Sequence, residues 1–425
     1  MRPRSASRLL APVVVVTTAV GLAVSCAVPA GHEGPTSSAA VAAPAAASGE
    51  TAVVVAPAAP TPRSWNLAWR AEDTFPGVTD TTTTCRFSAR LTADGDALRA
   101  EFGSTGAGRG YPLISASVAR PVAPHSLEVA EGSSVPLTFA GSPGVDVAAR
   151  ASVLSDPVAL PVRAGEDVLV TVTAGAGDAY VKGGLNEPGA CSAGPVDAPA
   201  TASPDALTEA GNVRWLHSLL VEGTDARSVV ALGDSLTEGP SSATYAYERW
   251  SDHLDEPGVA VVNAGVGGNA ISRPGLYFTV DGVTRARALL AEPGVDDVVL
   301  LLGTNDLGLG QSADEVLGAI DEVADAAQAA GVQLWVGTLL PRGAGRGTQL
   351  EQSRQAVNAS LLDGRLTERG VRVIDTASAV ADPDRPRHLL GAYDAGDHLH
   401  VNADGARALG LVVRQSMGLG AQTNL

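Results

Sequence analysis

The stretch Ser228-Val-Val-Ala-Leu-Gly-Asp-Ser-Leu-Thr-Glu-Gly239 decides how this chain folds. Val229 to Leu232 is a short apolar run of the kind that forms a buried parallel strand. Gly233 breaks it, and Ser235 stands where the chain must leave the strand and turn toward a helix. Open α/β sheets build their sites at the carboxyl ends of strands, and the neighbouring glycines permit a tight turn and a close approach by substrate. Gly, Asp and Ser are also ordinary turn residues, so the tetrad acquires chemical meaning only from partner blocks further down the chain.

Strands alternating with helices succeed it, the signature of a parallel sheet. The pattern predicts strands at 228–232, 259–263, 297–303, 332–340 and 371–375. Between the third and fourth, Ser312 and Glu315 fit a capping box, Val316, Ile320, Val323 and Ala327 form one apolar face, and Gly331 supplies the stop. The expected fold over residues 225–425 is a three-layer α/β/α domain of flavodoxin-like type. The glycine clusters at 265–268 and 343–347 match neither a phosphate loop nor a dinucleotide fingerprint, and tandem repeats are absent.

The start of the chain reads as an export signal over residues 1–30. Arg2, Arg4 and Arg8 form its charged region and Leu9 to Ser25 its apolar stretch. Two cleavage sites compete: Val28-Pro-Ala30 suits a signal peptidase, and Ala23-Val-Ser-Cys26 resembles a bacterial lipobox that would leave Cys26 as a lipidated membrane tether. Residues 31–63, rich in Ala, Pro, Ser and Thr, hold too little apolar bulk to offset their ordering entropy and read as a spacer.

Residues 64–200 read as all-β. Phe87, Ala89 and Leu91 alternate with polar residues, and Ala93-Asp-Gly-Asp96 is expected to turn the chain into a hairpin partner carrying Leu98, Ala100 and Phe102. Val168, Val170 and Val172 alternate again. Short strands punctuated by Gly and Pro predict a β-sandwich of jelly-roll type, joined to the α/β domain by a connection at 201–224. Trp65, Trp69 and Tyr111 could line a sugar platform, although aromatics in a small sandwich more often fill its core. Cys85 and Cys191, a pair in an exported chain, are expected to form a disulfide. It would close a loop of about 106 residues and stabilise the fold by on the order of 4 kcal/mol.

Three further blocks fall at predicted strand ends or near the C-terminus: Asn263-Ala-Gly-Val-Gly-Gly-Asn-Ala270, Gly303-Thr-Asn-Asp306 and Gly396-Asp-His-Leu-His-Val-Asn402. With Gly233-Asp-Ser-Leu236 they resemble, in order and spacing, the SGNH (GDSL) hydrolase superfamily over residues 225 to 420. The β-domain in front resembles that of a bacterial exported subgroup of these enzymes. The resemblance implies Ser235 as nucleophile, His400 as its base and Asp397 as the group that orients the imidazole. It implies an oxyanion hole made of the backbone N–H groups of Ser235 and Gly268 and the side-chain amide of Asn305. Asp234 and Asp306 are expected to brace their loops, and His398 to point away from Ser235. Val401 stands where the family often has Pro, which relaxes the loop without removing a functional group.

The expected activity is that of an exported serine esterase, extracellular or held at the cell surface, acting on small-molecule or polysaccharide esters, with acetyl groups on carbohydrate favoured. A lipase or lysophospholipase acting on lipid is the first alternative, and a glycan-binding protein with a vestigial hydrolase domain the second. The mechanism needs no cofactor, and no ligand spacing suggests a metal. With 46 Asp and Glu against 29 Lys and Arg, and no basic stripe with interleaved aromatics, nucleic acid is not an expected partner.

Overall fold

Five parallel strands organise the second half of the chain. In spatial order they are Val259–Gly265, Arg227–Gly233, Asp297–Leu301, Gln333–Gly337 and Arg372–Ile374. This is the order 2-1-3-4-5 of flavodoxin-like sheets, whose first and third strands part at the topological switch point. The strand leading to Ser235 is therefore flanked on both sides. Its residues alternate between two cores: Val230 and Leu232 pack with the helices Gly282–Leu290, Ala313–Ala330 and Thr348–Leu362, while Val229 and Ala231 pack with Ala403–Ser416 and the turn Trp250–Leu254. Helices on both faces make the three layers. The helix Ala313–Ala330 carries the expected Ser312/Glu315 capping box and ends at Gly331 in the left-handed region.

This computed structural model describes residues 64–420 except for 73–74, 104–107, 182–188, 193, 195, 197–199, 201–202, 210–214, 224–225, 244–245, 277–279, 293 and 344–346. The expected signal peptide with Cys26 and the linker 31–63 lie outside the described residues. The described residues form one compact unit.

The first half folds as antiparallel sheets, two of which share one apolar core. Ser64–Arg70, Leu216–Gly223, Gly95–Gly103 and Ser152–Leu154 lie side by side in one. Thr83–Arg90 and Tyr111–Ala119 flank Asp167–Ala174 in the other. The structure corrects two expectations. The turn at Ala93–Asp96 does not close a hairpin: Thr83–Arg90 belongs to one sheet and Gly95–Gly103 to the other. Phe87 and Leu91 still meet Leu98 and Phe102, but across the core. Alternation fixes which face is buried, and it cannot distinguish a partner in the same sheet from one in the facing sheet. The connection at 201–224 likewise contains a strand, Leu216–Gly223, hydrogen-bonded on both sides. A register shift between Leu216 and Ser218 interrupts its alternation, which hides it from periodicity.

Cys85 and Cys191 face each other on neighbouring strands and are joined by a disulfide. Trp69 and Tyr111 are buried in the core, so they offer no platform. Trp65 is half-buried, with the Arg99 guanidinium 5.2 Å above its ring. The α/β and β-rich parts are packed together: Leu67 joins the apolar cluster beneath the helices, and Ala260 joins the core of the antiparallel sheets.

Candidate active site

Ser235 opens a one-turn helix, Ser235–Glu238, at the carboxyl end of its strand. Asp234 caps that helix by accepting from the Leu236 N–H at 2.9 Å. As the first helical residue, Ser235 has a backbone N–H with no intrahelical acceptor. Close packing fixes the turn. A Cβ on Gly233 would come within 2.0 Å of Thr237 Oγ1, and one on Gly265 within 2.1 Å of the Glu238 nitrogen, so neither position admits a side chain.

Three sequence-predicted residues meet at this corner. Ser235 Oγ lies 2.8 Å from His400 Nε2, and His400 Nδ1 lies 2.6 Å from Asp397 Oδ2. With a proton on Nδ1 facing the carboxylate, Nε2 is left as the acceptor for the serine proton. Asp397 is itself held: its Oδ1 accepts from the backbone N–H groups of Leu399 (3.0 Å) and His400 (2.8 Å). Burial works to raise the Asp397 pKa, but those backbone donors and the His400 ring outweigh it and bring it down to about 2. The carboxylate therefore stays charged through the neutral range. His398 points elsewhere, largely exposed, with Nδ1 2.5 Å from Asp394 Oδ2. Asn402 caps the helix Ala403–Ser416, accepting from the Gly405 N–H at 3.0 Å, and Asp404 faces solvent.

Asn305 ties the loops together. Its amide donates to the Asn269 carbonyl at 2.9 Å and to Asp234 Oδ2 at 3.2 Å. Gly268 sits in the turn after the strand Val259–Gly265, with φ of 73°. Asp306 is fully buried and accepts from the Ile271 N–H, the Ser272 N–H and the Ser272 hydroxyl, which anchors the segment just beyond that turn. Several residues around the site carried no signal in the sequence. Arg285 and Arg342 are arginines whose burial periodicity does not forecast, and Arg342 donates to the Thr304 carbonyl beside Asn305. Asn263 and Asn269 belong to the glycine-rich block 263–270, whose pattern gives them no distinct task. Asn263 holds the nucleophile turn by donating to the Thr237 carbonyl at 2.6 Å.

Asp234 is fully buried, and burial raises its pKa to about 7 against the pull of the Leu236 N–H and Arg342. Its folded pKa lies above the ordinary 3.8, so the folded chain retains a proton that the unfolded chain has already released. The resulting stabilisation is complete below 3.8 and is lost as the pH rises through about 7. Asp234→Asn keeps a capping oxygen and removes the titration. Between about pH 4 and pH 7, the unfolding free energy of the parent is expected to fall by about 2–4 kcal/mol more than that of the variant. Urea titrations at the two pH values measure this, and equal falls would show the carboxyl to be ionised throughout.

A small cavity of about 10 Å³ adjoins Ser235 and His400, walled by Leu236, Pro240, Trp250 and Val401 among others. A larger one, about 160 Å³, lies between Trp69, Arg90, Tyr247 and Arg249 and includes none of the sequence-predicted site residues. Among the described residues, no group of three or more His, Cys, Asp or Glu side chains is placed to hold a metal ion.

A sheet of flavodoxin-like order with a Ser–His–Asp hydrogen-bonded chain at its switch point is the arrangement of SGNH hydrolases. Residues 231–408 match the model of the GDSL-like lipase/acylhydrolase family, and this domain belongs to the SGNH hydrolase superfamily. Similar solved structures include a carbohydrate acetylesterase from Sinorhizobium meliloti (20% identity, 45% of this chain and 98% of that one, TM-score 0.37). They also include a GDSL-like lipase from Bacteroides thetaiotaomicron (20% identity, 45% and 88%, TM-score 0.36) and an aryl esterase from M. smegmatis (16% identity, 45% and 99%, TM-score 0.37). No curated protein matches the chain.

Proposed function

We propose that this protein is an exported serine esterase that removes short acyl groups, acetyl above all, from carbohydrate. The observation that carries the esterase reading is the unbroken hydrogen-bonded path from Ser235 through His400 to Asp397. Ser235 Oγ passes its proton to His400 Nε2 as it attacks the ester carbonyl. The tetrahedral oxyanion is met by the N–H groups of Ser235 and Gly268 and by the Asn305 amide. His400 then protonates the departing alcohol, leaving the acyl group on Ser235. Water, deprotonated by His400, attacks that ester and releases the acid, and the proton returns to Ser235. Asp397 keeps the imidazole in the required tautomer throughout.

The preference for a short acyl group is supported by the small cavity beside Ser235, which offers about the room of one water molecule. Export is supported by the sequence pattern of residues 1–30, with Cys26 as a second route to a surface location. The same reading takes the antiparallel sheets in front as a jelly-roll-type sandwich.

Initial rates on p-nitrophenyl esters from acetate to palmitate, with Ser235→Ala as control, test the proposal. Activity is expected on acetate, falling with chain length and lost in the variant. An optimum among long chains would favour a lipid substrate. Glycan affinity without turnover of any ester would leave a binding protein instead.

A further inference from the structure

Arg285, on the helix Gly282–Leu290, buries its guanidinium directly behind the site, with only 7% of the side chain exposed. Nη1 donates to the Gly233 carbonyl at 3.2 Å and to Asn269 Oδ1 at 2.7 Å, and Nη2 donates to the Ala264 carbonyl. Gly233 lies just before the nucleophile turn, Ala264 opens the glycine loop, and Asn269 directly follows Gly268. One planar cation thus holds together the two segments that present the N–H groups of Ser235 and Gly268. Its fourth partner comes from the other half of the chain. Nε donates to Glu72 Oε2 at 3.1 Å, and Glu72 stands just past the strand Ser64–Arg70 of the antiparallel sheets. Glu72 also accepts from Arg70, whose guanidinium reaches Glu292 near the end of the helix that carries Arg285.

A buried guanidinium is tolerated when its charge is paired and its donors are satisfied, and removing one partner leaves an uncompensated charge. Without Glu72, Arg285 must turn toward another anion or water, and the carbonyls it anchors move with it. Displacements of an ångström in a catalytic constellation cost up to about 100-fold in rate. Building on the esterase reading, we propose that Glu72 is a positioning residue of the active site, acting through Arg285 on the nucleophile turn and the glycine loop. The β-rich half of the chain then supplies part of the site's electrostatic framework.

The test uses the full chain with p-nitrophenyl acetate. A fluorophosphonate titrates reactive Ser235 to completion, so that rates are expressed per competent site and misfolded protein drops out. Glu72→Gln is expected to lower kcat per titrated site by about 10- to 100-fold with KM changed by less than about twofold, and Glu72→Asp to fall between variant and parent. A folded Glu72→Gln with the parent's kcat per site overturns the proposal. So does a loss of activity explained wholly by fewer titratable sites, which makes Glu72 structural only. Should Glu72→Gln not fold, Glu72→Asp decides: a reduced kcat per site upholds the proposal and a parental one overturns it. A parent inactive on every ester, or a Ser235→Ala variant as active as the parent, fails differently. It removes the esterase reading itself, and this inference with it.

Discussion

Ser235→Ala is expected to lower kcat on p-nitrophenyl acetate by about 10⁵- to 10⁶-fold with little change in KM, and His400→Ala to cost nearly as much. The two side chains meet at 2.8 Å, and in the proposed mechanism they act as one device. A serine hydroxyl without a base is a poor nucleophile, and an imidazole without the hydroxyl has only water to activate. The double variant is therefore expected to be no slower than the worse single one, with the residual rate coming from the oxyanion donors and substrate binding. Steady-state rates on the three variants check this. Losses that multiply in the double variant would mean that the two residues serve separate steps.

Asn305→Ala is expected to lower kcat by about 10²- to 10³-fold. The amide bridges the Asn269 carbonyl at 2.9 Å and Asp234 Oδ2 at 3.2 Å. In the proposed mechanism the charge it meets exists only in the transition state, so the loss should fall on kcat with KM nearly constant. Asn305→Asp keeps the shape but exchanges a donor for an acceptor and should be at least as poor. Thermal unfolding of both variants separates catalysis from loop bracing. A lowered Tm with parental kcat would make Asn305 a brace alone.

The parallel sheet was legible because its strands are buried on both faces and read as continuous apolar runs, each closed by a glycine or polar block. The three side chains that meet at 2.8 and 2.6 Å could be singled out in the sequence because Ser235 follows an apolar run directly and Asp397 and His400 share one short polar block near the C-terminus. The strand predicted at 332–340 ends at Gly337, since Leu339 and Leu340 continue the apolar run after the chain has left the sheet. Sheet membership in the first half was not legible, because Phe87 and Phe102 need the same alternation whether they are neighbours or face each other. Nor was the Glu72–Arg285 pair. It joins residues far apart in sequence, and a lone charge inside an amphipathic pattern is read as solvent-facing until the partner is known.

The strand Ser64–Arg70 lies at the edge of its sheet, and among the described residues its only ladder partner is Leu216–Gly223. A chain made from its N-terminus therefore carries its first strand unpaired until nearly the whole β-rich half has been synthesised. That half has its full set of strands well before the last parallel strand, Arg372–Ile374, is made, so it can fold ahead of the α/β part. Its closing strand arrives just ahead of Arg227–Gly233, the strand that leads to Ser235. The β-rich half thus closes only once Gly223 has been made, with an open sheet edge exposed to wrong partners until then. Yield on expression should depend on how quickly residues 216–223 emerge after the first strand.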